Sequence, residues 1–374
     1  MLGLSRKYDH RMLAWATAAM SLALLLGGAP QSAGQQGGYA SSSAIAHNQV
    51  GPVLEVPKRS ASQSGSQSLS IPQLVGHPDR QLELPYRVPH SQTGYEQVIV
   101  TVTDQSGRYI TDMQKSDFRI YVDGIQRPVQ LLRRDLDTPV SVEIIVDSSG
   151  SMRRKIPQAR MAIERFIGDL NPRDDIFLLV FSSRIFLLQP FTMNHSQVMD
   201  RLVLLRADAD TALFDAIIDG LSIIERGRYE KKALLVVTDG MDNASRASLP
   251  QVVTQARRTG VLIYSVGIGD PERGVLGIGA FIFSGDSGHV DAQTLRQLSN
   301  ETGARTYLLG KVGDGELLRQ DCADISNELR EQYTLGFVAP DPSRPSYRSL
   351  RVDVPGKPEL SVRVRRGVTH GIGD

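Results

Sequence analysis

The sequence predicts an α/β fold in which a doubly wound, mostly parallel sheet is inserted into a small β-sandwich. Between about residues 138 and 330, apolar runs rich in Val, Ile and Leu alternate with amphipathic helical patterns. This alternation is typical of parallel strands covered by helices on both faces, as in a Rossmann-like sheet. Alternating apolar and polar residues, typical of half-buried antiparallel strands, occur on both sides of that region and predict the sandwich.

Composition indicates a globular protein with a sizeable core. The chain has 374 residues, of which 41% are hydrophobic and 22% charged, and its formal net charge is +1. A charge so close to zero gives no electrostatic reason to expect nucleic-acid binding. Cys322 is the only cysteine, so no internal disulfide forms, and its spacing predicts a buried thiol on the last helix.

The first 34 residues have the pattern of a secretory signal peptide. Lys7 and Arg11 precede the apolar run at 12–26, which small residues follow up to Gly34. We therefore expect export, to the periplasm, the cell surface or the medium, with cleavage after Ala33 or Gly34. The alternative is a retained anchor, which would be the protein's one link to a membrane.

Residues 35–80 are rich in Ser, Gln, Gly and Pro. Such a composition cannot bury enough apolar surface to offset the entropy of an ordered chain. We expect a disordered tether.

The predicted sandwich is built from two separated segments, 93–137 and 331–368. The first contains EQVIVTVTDQSGRYI and FRIYVDGIQRPVQLL, with a hairpin signal at Asp123-Gly124. The second contains three more alternating strands. Because two or three strands are marginal alone, we expect the segments to pair across the inserted region, 138–330.

Two features of the inserted region concern its loops. Residues 270–290 are rich in glycine and longer than an ordinary strand-to-helix connection. The loop is either a flap that contacts a partner or a surface loop. Asp291 is expected to cap the helix after it.

Oxygen-bearing side chains stand where two apolar strands end. VEIIV runs into Asp147, Ser149 and Ser151, and KALLVVT runs into Asp239, while Thr211 stands at the start of a helix. Ligands of doubly wound sheets bind beyond the carboxyl ends of the strands, where the strand order reverses. If the two strands are neighbours there, these side chains converge.

The side chains in this set offer only oxygen, which suits a hard cation such as Mg²⁺, Ca²⁺ or Mn²⁺ rather than zinc. Two carboxylates and three hydroxyls leave the coordination of such an ion incomplete, and an acid of a partner would complete it. The alternative for the first motif alone is an ordinary turn in which Asp147 caps the next helix.

Together, DSSGS at 147–151, TALFDA at 211–216 and TDG at 238–240 resemble the metal-ion-dependent adhesion site of von Willebrand factor type A domains. The resemblance covers about residues 139–330. The segments SDFRIYVDGIQRPV and REQYTLGFVAP, on either side, are similar to exported bacterial proteins that carry a related domain.

The resemblance implies a metal site and a class of function. Ser149, Ser151 and Thr211 would contact the ion directly or nearly so, whereas Asp147 and Asp239 would hold it partly through water. Mg²⁺ is the expected ion. The function implied is adhesion or envelope assembly, through a protein ligand that presents an acidic side chain.

Four further acids lie near these motifs. Asp208 and Asp210 occupy positions where relatives often have glycine, and they either favour Ca²⁺ by their charge or face solvent. Asp215 and Asp242 are either hydrogen-bond acceptors that support the site or members of a helix surface.

Two other functions are alternatives to metal-dependent binding. A structural envelope protein with a vestigial metal site would keep the motifs without the ion. A metal-assisted hydrolase would need a general base, and none is evident; GDSG at 285–288 and His289 lack the strand context of a serine-hydrolase nucleophile. The sequence therefore predicts a protein that is not an enzyme.

Overall fold

The structure is a computed structural model that describes residues 73–75, 95–269, 290–310, 315–338 and 346–370. The strands are β1 (Gln73–Val75), β2 (Tyr95–Thr103), β3 (Arg119–Val122), β4 (Ile125–Arg127), β5 (Leu131–Arg134), β6 (Ser141–Asp147), β7 (Asp175–Phe181), β8 (Ile185–Thr192), β9 (Lys232–Thr238), β10 (Leu262–Ile268), β11 (Thr306–Leu309), β12 (Tyr333–Val338), β13 (Ser346–Asp353), β14 (Ser361–Val364) and β15 (Gly367–His370). The helices are α1 (Ile156–Asp169), α2 (His195–Leu202), α3 (Leu213–Ile223), α4 (Leu249–Thr259), α5 (Ala292–Thr302) and α6 (Gly315–Glu328).

The central sheet has the order β1-β8-β7-β6-β9-β10-β11. Five adjacent strands of this sheet, β7, β6, β9, β10 and β11, are parallel to one another. The other two are antiparallel to their neighbours: β8 to β7, and β1 to β8. β6, β7 and β10 are buried at every position, which explains why their sequences are continuous apolar runs. The predicted doubly wound, mostly parallel sheet is confirmed.

The strand order reverses between β6 and β9. After β6 the chain adds β7 and β8 on one side of it, and it then crosses to add β9, β10 and β11 on the other. β6 and β9 are neighbours, with Val146 opposite Val237. Their carboxyl ends therefore meet at the same edge of the sheet. This is the condition under which the oxygen-bearing side chains after the two strands were expected to converge.

Helices cover both faces of this sheet because successive residues of each strand point to opposite sides. Ile144 and Val146 of β6 pack in a core with α1, α2 and α6. Ile145, between them, packs in a second core with α3, α4 and α5. Cys322 of α6 is buried in the first core, as predicted, and burial raises the pKa of its thiol to about 12.

The sandwich consists of two four-stranded antiparallel sheets, β14-β2-β12-β5 and β15-β13-β3-β4. Strand β12, which follows the α/β region in sequence, lies between β2 and β5, which precede it. The core between the sheets includes Val100, Ile120, Leu335 and Val352. The expectation that the flanking segments form one sandwich is confirmed.

The predicted hairpin turn at Asp123-Gly124 and the predicted helix cap at Asp291 are both confirmed. Asp123 and Gly124 have φ values of 51° and 77° between β3 and β4, as a tight hairpin turn requires. The side chain of Asp291 accepts a hydrogen bond from the backbone N–H of Thr294 and so caps α5.

The structure differs from expectation in two places. The last predicted strand, ELSVRVRR, contains β14, which pairs with β2, and it is followed by an additional strand, β15, which pairs with β13 in the other sheet. Residues 73–75, within the expected tether, form β1 instead of irregular chain. Their Gln-Leu-Val sequence pairs with the edge of β8 and satisfies backbone groups there.

Several predictions lie outside the described residues: the signal peptide, the rest of the tether and most of the loop at 270–290. Among the residues that are described, no helix is long and apolar enough to cross a membrane.

Candidate metal centre

Asp147 is fully buried at the end of β6, and both of its carboxylate oxygens accept hydrogen bonds. Oδ1 accepts from the backbone N–H of Ser149 at 2.8 Å, which closes a turn of the kind that Asp favours. Oδ2 accepts from the hydroxyl of Thr238 at 2.6 Å. Thr238 ends β9, so this bond joins the two strands at the switch point.

The turn after Asp147 brings the two serine hydroxyls together. Ser149 Oγ and Ser151 Oγ are 3.1 Å apart. A short 3₁₀ helix, 150–152, follows Ser149 and turns the chain back toward the site. Met152 at its end is fully buried and anchors the turn in the core.

Thr211 lies in a second loop that is hydrogen-bonded to the first. The backbone N–H of Gly150 donates to the carbonyl of Ala209 at 2.9 Å, and that of Asp208 donates to the carbonyl of Ser148 at 2.8 Å. Thr211 itself is 4% exposed. The loops 147–152 and 207–212 are thus held side by side, and with residues 238–245 we call them the site loops.

Asn243 in the third site loop holds Thr211 from the other side. Its Oδ1 accepts from the N–H of Thr211 at 2.8 Å. The carbonyl of Thr211 accepts from the N–H groups of Asn243 and Ala244, both at 3.0 Å. Sequence reasoning missed Asn243; the signal available was its place four residues after Asp239 in TDGMDN.

Asp242 and Asp215 connect the third loop to the start of α3. Asp242 Oδ2 accepts from the N–H of Phe214 at 3.0 Å and from the hydroxyl of Ser245 at 2.6 Å. Asp215 accepts from the backbone N–H groups of Arg246 and Ala247, directly after that loop, at 3.0 Å and 2.9 Å. Of the two roles considered for these acids, the contacts favour that of supporting acceptor. Asp208 and Asp210, in contrast, are exposed.

Asp239 is buried and has a cationic partner that the sequence did not reveal. Its Oδ2 lies 3.0 Å from Nζ of Lys155, and the two side chains are 1% and 9% exposed respectively. Its Oδ1 accepts from the N–H of Met241 at 3.2 Å. Gly240 between them has φ of 80°, and a Cβ there would meet the Asp291 carbonyl at 2.8 Å, so glycine is required.

Burial and mutual repulsion of the carboxylates govern the electrostatics of the site. Burial raises the pKa of Asp147 to about 6; the charge of Asp239 adds to the rise, and hydrogen bonds from Thr238 and Ser149 oppose it. Two buried acids that repel each other are a favourable environment for a cation.

The donor set fits a hard dication. The structure brings together the ends of β6 and β9 and the loop of Thr211, so carboxylate and hydroxyl oxygens share one edge of the sheet. The described residues contain no group of three or more His, Cys, Asp or Glu side chains that could hold a metal. An ion at these loops would therefore depend on the hydroxyls as well as on the two carboxylates.

Comparison with known proteins places this part of the chain in a family. A family model described as von Willebrand factor type A domain matches residues 141–318. An uncharacterized protein of Borreliella burgdorferi is 26% identical over 210 residues, which are 52% of this chain and 61% of that protein. The human inter-alpha-trypsin inhibitor heavy chain H4 is 28% identical over 115 residues, 27% of this chain and 12% of that one.

Solved structures of low identity are also similar. A von Willebrand factor type A protein from Catenulispora acidiphila covers 75% of this chain and 74% of its own, with 11% identity and a TM-score of 0.43. BatB from Bacteroides thetaiotaomicron covers 50% of this chain and 98% of its own, with 18% identity and a TM-score of 0.40. The family match and the doubly wound sheet agree: residues 141–318, within the α/β part of this chain, are a von Willebrand factor type A domain.

Proposed function

We propose that this protein binds another protein through a divalent cation, for which Mg²⁺ is the first candidate. The proposed ligands of the cation are Asp147, Ser149, Ser151, Thr211 and Asp239. The observation that carries the proposal is the convergence of three hydrogen-bonded loops on two buried carboxylates at the switch point. A cation bound there would supply a concentrated positive charge with an incomplete oxygen shell. A carboxylate of the partner would complete that shell.

Binding fits the site better than catalysis does. The buried titratable side chains at the two strand ends include Asp147, Asp239 and Lys155. Asp147 accepts two hydrogen bonds and Asp239 is paired with the ammonium of Lys155, so both carboxylates are held in fixed orientations, as ligands of a cation need to be. This favours a site that holds a cation for a partner.

The surface next to the site suits a partner with acidic groups. Arg153 and Arg154 follow Met152, at the end of the turn that carries Ser151, and are exposed. Met241, two residues after Asp239, is 38% exposed and offers an apolar contact beside the charges. An interface of this kind combines charge recognition with burial of apolar surface.

We further propose that the protein acts outside the cytoplasm, in adhesion or in envelope assembly. The support is the leader pattern of residues 1–34, a basic start followed by an apolar run and small residues. Comparing the N-terminal residue of the mature protein with Gln35 or Gly34 would test cleavage directly.

A first prediction concerns the metal itself. Mg²⁺ at 100 times its dissociation constant should stabilise the protein by about 2.7 kcal/mol, seen as a rise in melting temperature that EDTA reverses. Asp147→Asn should abolish this response, because the site loses a charge without losing shape. Asp208→Asn, at an exposed acid of a neighbouring loop, is the matched control and should respond like the wild type.

The outcomes separate the alternatives. A melting temperature that no divalent ion changes would favour the structural protein with a vestigial site. A metal response that Asp147→Asn retains would place the ion elsewhere. Capture of envelope proteins by the immobilised wild type, compared with the Asp147→Asn variant and with EDTA present, then tests the bridging role.

A further inference from the structure

Lys155 puts a positive charge inside the site proposed to receive a cation. Its Nζ lies 3.0 Å from Asp239 Oδ2, and its side chain is 9% exposed. Asp239 directly follows Thr238, whose hydroxyl donates to Oδ2 of Asp147 at 2.6 Å, so the two buried carboxylates lie at adjacent strand ends. Ammonium and carboxylates therefore form one buried group of charges.

The backbone holds Lys155 in this position. Its N–H donates to the carbonyl of Met152 at 2.8 Å, at the end of the turn that carries Ser151. Its own carbonyl accepts from the N–H of Ala159 at 2.9 Å, in the first turn of α1. The side chain thus starts from a rigid junction and reaches inward to Asp239, rather than moving freely in solvent.

The charge balance has a direct consequence for an incoming dication. Two ionised carboxylates alone would neutralise it, whereas with the ammonium of Lys155 present the loaded site keeps one positive charge in excess. In a buried site this excess is poorly screened. It weakens the attraction of the site for the cation and strengthens its attraction for one further anion.

We propose that Lys155 is a built-in counter-ion that weakens cation binding in the absence of a partner and makes tight binding depend on the partner's carboxylate. This inference rests on the proposed function and specifies its regulation. Cation and carboxylate then bind cooperatively, since each relieves the charge imbalance that opposes the other.

The chain contains a matched control for this lysine. Lys231 Nζ lies 3.0 Å from Asp135 Oδ2, and these side chains are 1% and 0% exposed. The Lys231 carbonyl accepts from the N–H of Ser141, which begins β6, whereas Asp147 ends that strand. A strand of this length separates the two pairs by about 20 Å.

The test measures Mg²⁺ binding to the full chain by titration calorimetry. Lys155→Met should lower the dissociation constant for Mg²⁺ at least about tenfold, because a repulsive charge beside the ion is removed. Lys231→Met should lower the melting temperature but leave that constant within about twofold of the wild type, because the charge it removes is distant. Lys155→Arg keeps the charge and should keep the wild-type affinity.

A second measurement tests cooperativity, with acetate as the probe for the partner's carboxylate. Acetate, compared with chloride at equal ionic strength, should strengthen Mg²⁺ binding more in the wild type than in Lys155→Met. If Lys155→Met does not fold, Lys155→Gln removes the same charge with a polar side chain in its place.

Each outcome decides one of the two proposals. Equal Mg²⁺ affinity in the wild type and the neutral Lys155 variants would overturn the counter-ion role and leave the metal site standing. A gain in affinity in Lys155→Arg as well would also overturn it, because packing rather than charge would be responsible. Absence of binding in every variant would refute the metal site itself.

Discussion

At the scale of one residue, Glu143 is an acid whose protonation is changed by its burial in the sheet. It lies on β6 between apolar neighbours, it is fully buried, and neither carboxyl oxygen has a hydrogen-bond partner within the described part of the chain. Gly220 of α3 packs against it, and any side chain there would collide with the carboxyl. Burial, together with the charge of Asp219, raises the pKa of Glu143 well above its ordinary value.

This shift predicts a pH-dependent stability. Below the ordinary pKa of 4.5, Glu143 is protonated in both states. Above it only the unfolded chain loses the proton, so stability falls by about 1.4 kcal/mol per pH unit until the folded carboxyl ionises. Glu143→Gln should remove this loss. The measurement is urea unfolding of both proteins between pH 4.5 and 7.5, in which the free energy of unfolding of the variant minus that of the wild type should rise with pH. Glu359→Gln, at an exposed site, is the control and should show no such rise. A pH-independent difference would contradict the protonated state.

The start of α3 shows at the scale of an element how loops are positioned. The backbone N–H groups of its first turn donate hydrogen bonds to the loop after β9, to the side chains of Asp242 and Ser245. Asn243 of the same loop fixes the backbone of Thr211. The start of α3 and Thr211 are thereby held next to the loop that carries Asp239, although Asp239 is distant from both in sequence.

Asn243→Ala is therefore expected to affect the proposed metal site more than the fold. Loss of one hydrogen bond should lower the free energy of unfolding by about 1 kcal/mol. Mg²⁺ affinity should fall about tenfold, because Thr211 is no longer held in place. Gln251→Ala removes the capping contact to Ser248 at the start of α4 and is the control of similar stability cost. Equal Mg²⁺ affinity in the two variants would show that Asn243 does not position Thr211.

At the scale of the whole molecule, buried ion pairs join the sandwich to the α/β domain. Glu328, at the end of α6, is fully buried and accepts from Arg363 of β14 at 2.6 Å and from the hydroxyl of Tyr264 of β10 at 2.8 Å. Lys231 and Asp135 form a second buried pair between the two parts. Because the domain is inserted between strands of one sandwich, neither part can shift without breaking such contacts.

Glu328→Gln should consequently destabilise the molecule as a unit. Removal of one member of a buried pair leaves the guanidinium of Arg363 unpaired, at a cost of about 3 kcal/mol. Calorimetry should show one melting transition at a lower temperature. Asp353→Asn breaks the exposed pair with Arg351 and should cost less than about 1 kcal/mol. Two separate transitions in either variant would refute the coupling of sandwich and domain.

Much of this architecture is predictable from the sequence because burial determines the pattern of residues. Continuous apolar runs identified the parallel strands, and alternation identified those of the sandwich. The five candidate ligands stand immediately after strand ends or before a helix, which is where the order of elements alone places them. The additional strand β15 was not predicted, because its four residues are too few to show an alternation and its pairing with β13 depends on the fold.

The sequence by itself determined the fold class and the oxygen-bearing set, because both depend on local periodicity and on strand ends. Only the tertiary structure decided which groups surround that set. Lys155, Asn243 and Asp242 bind partners that lie 84, 32 and 28 residues away in the sequence. Such contacts depend on how loops from separate strands meet, and no local pattern records them. The counter-ion beside Asp239 is therefore a property of the folded chain, produced when β6 and β9 become neighbours.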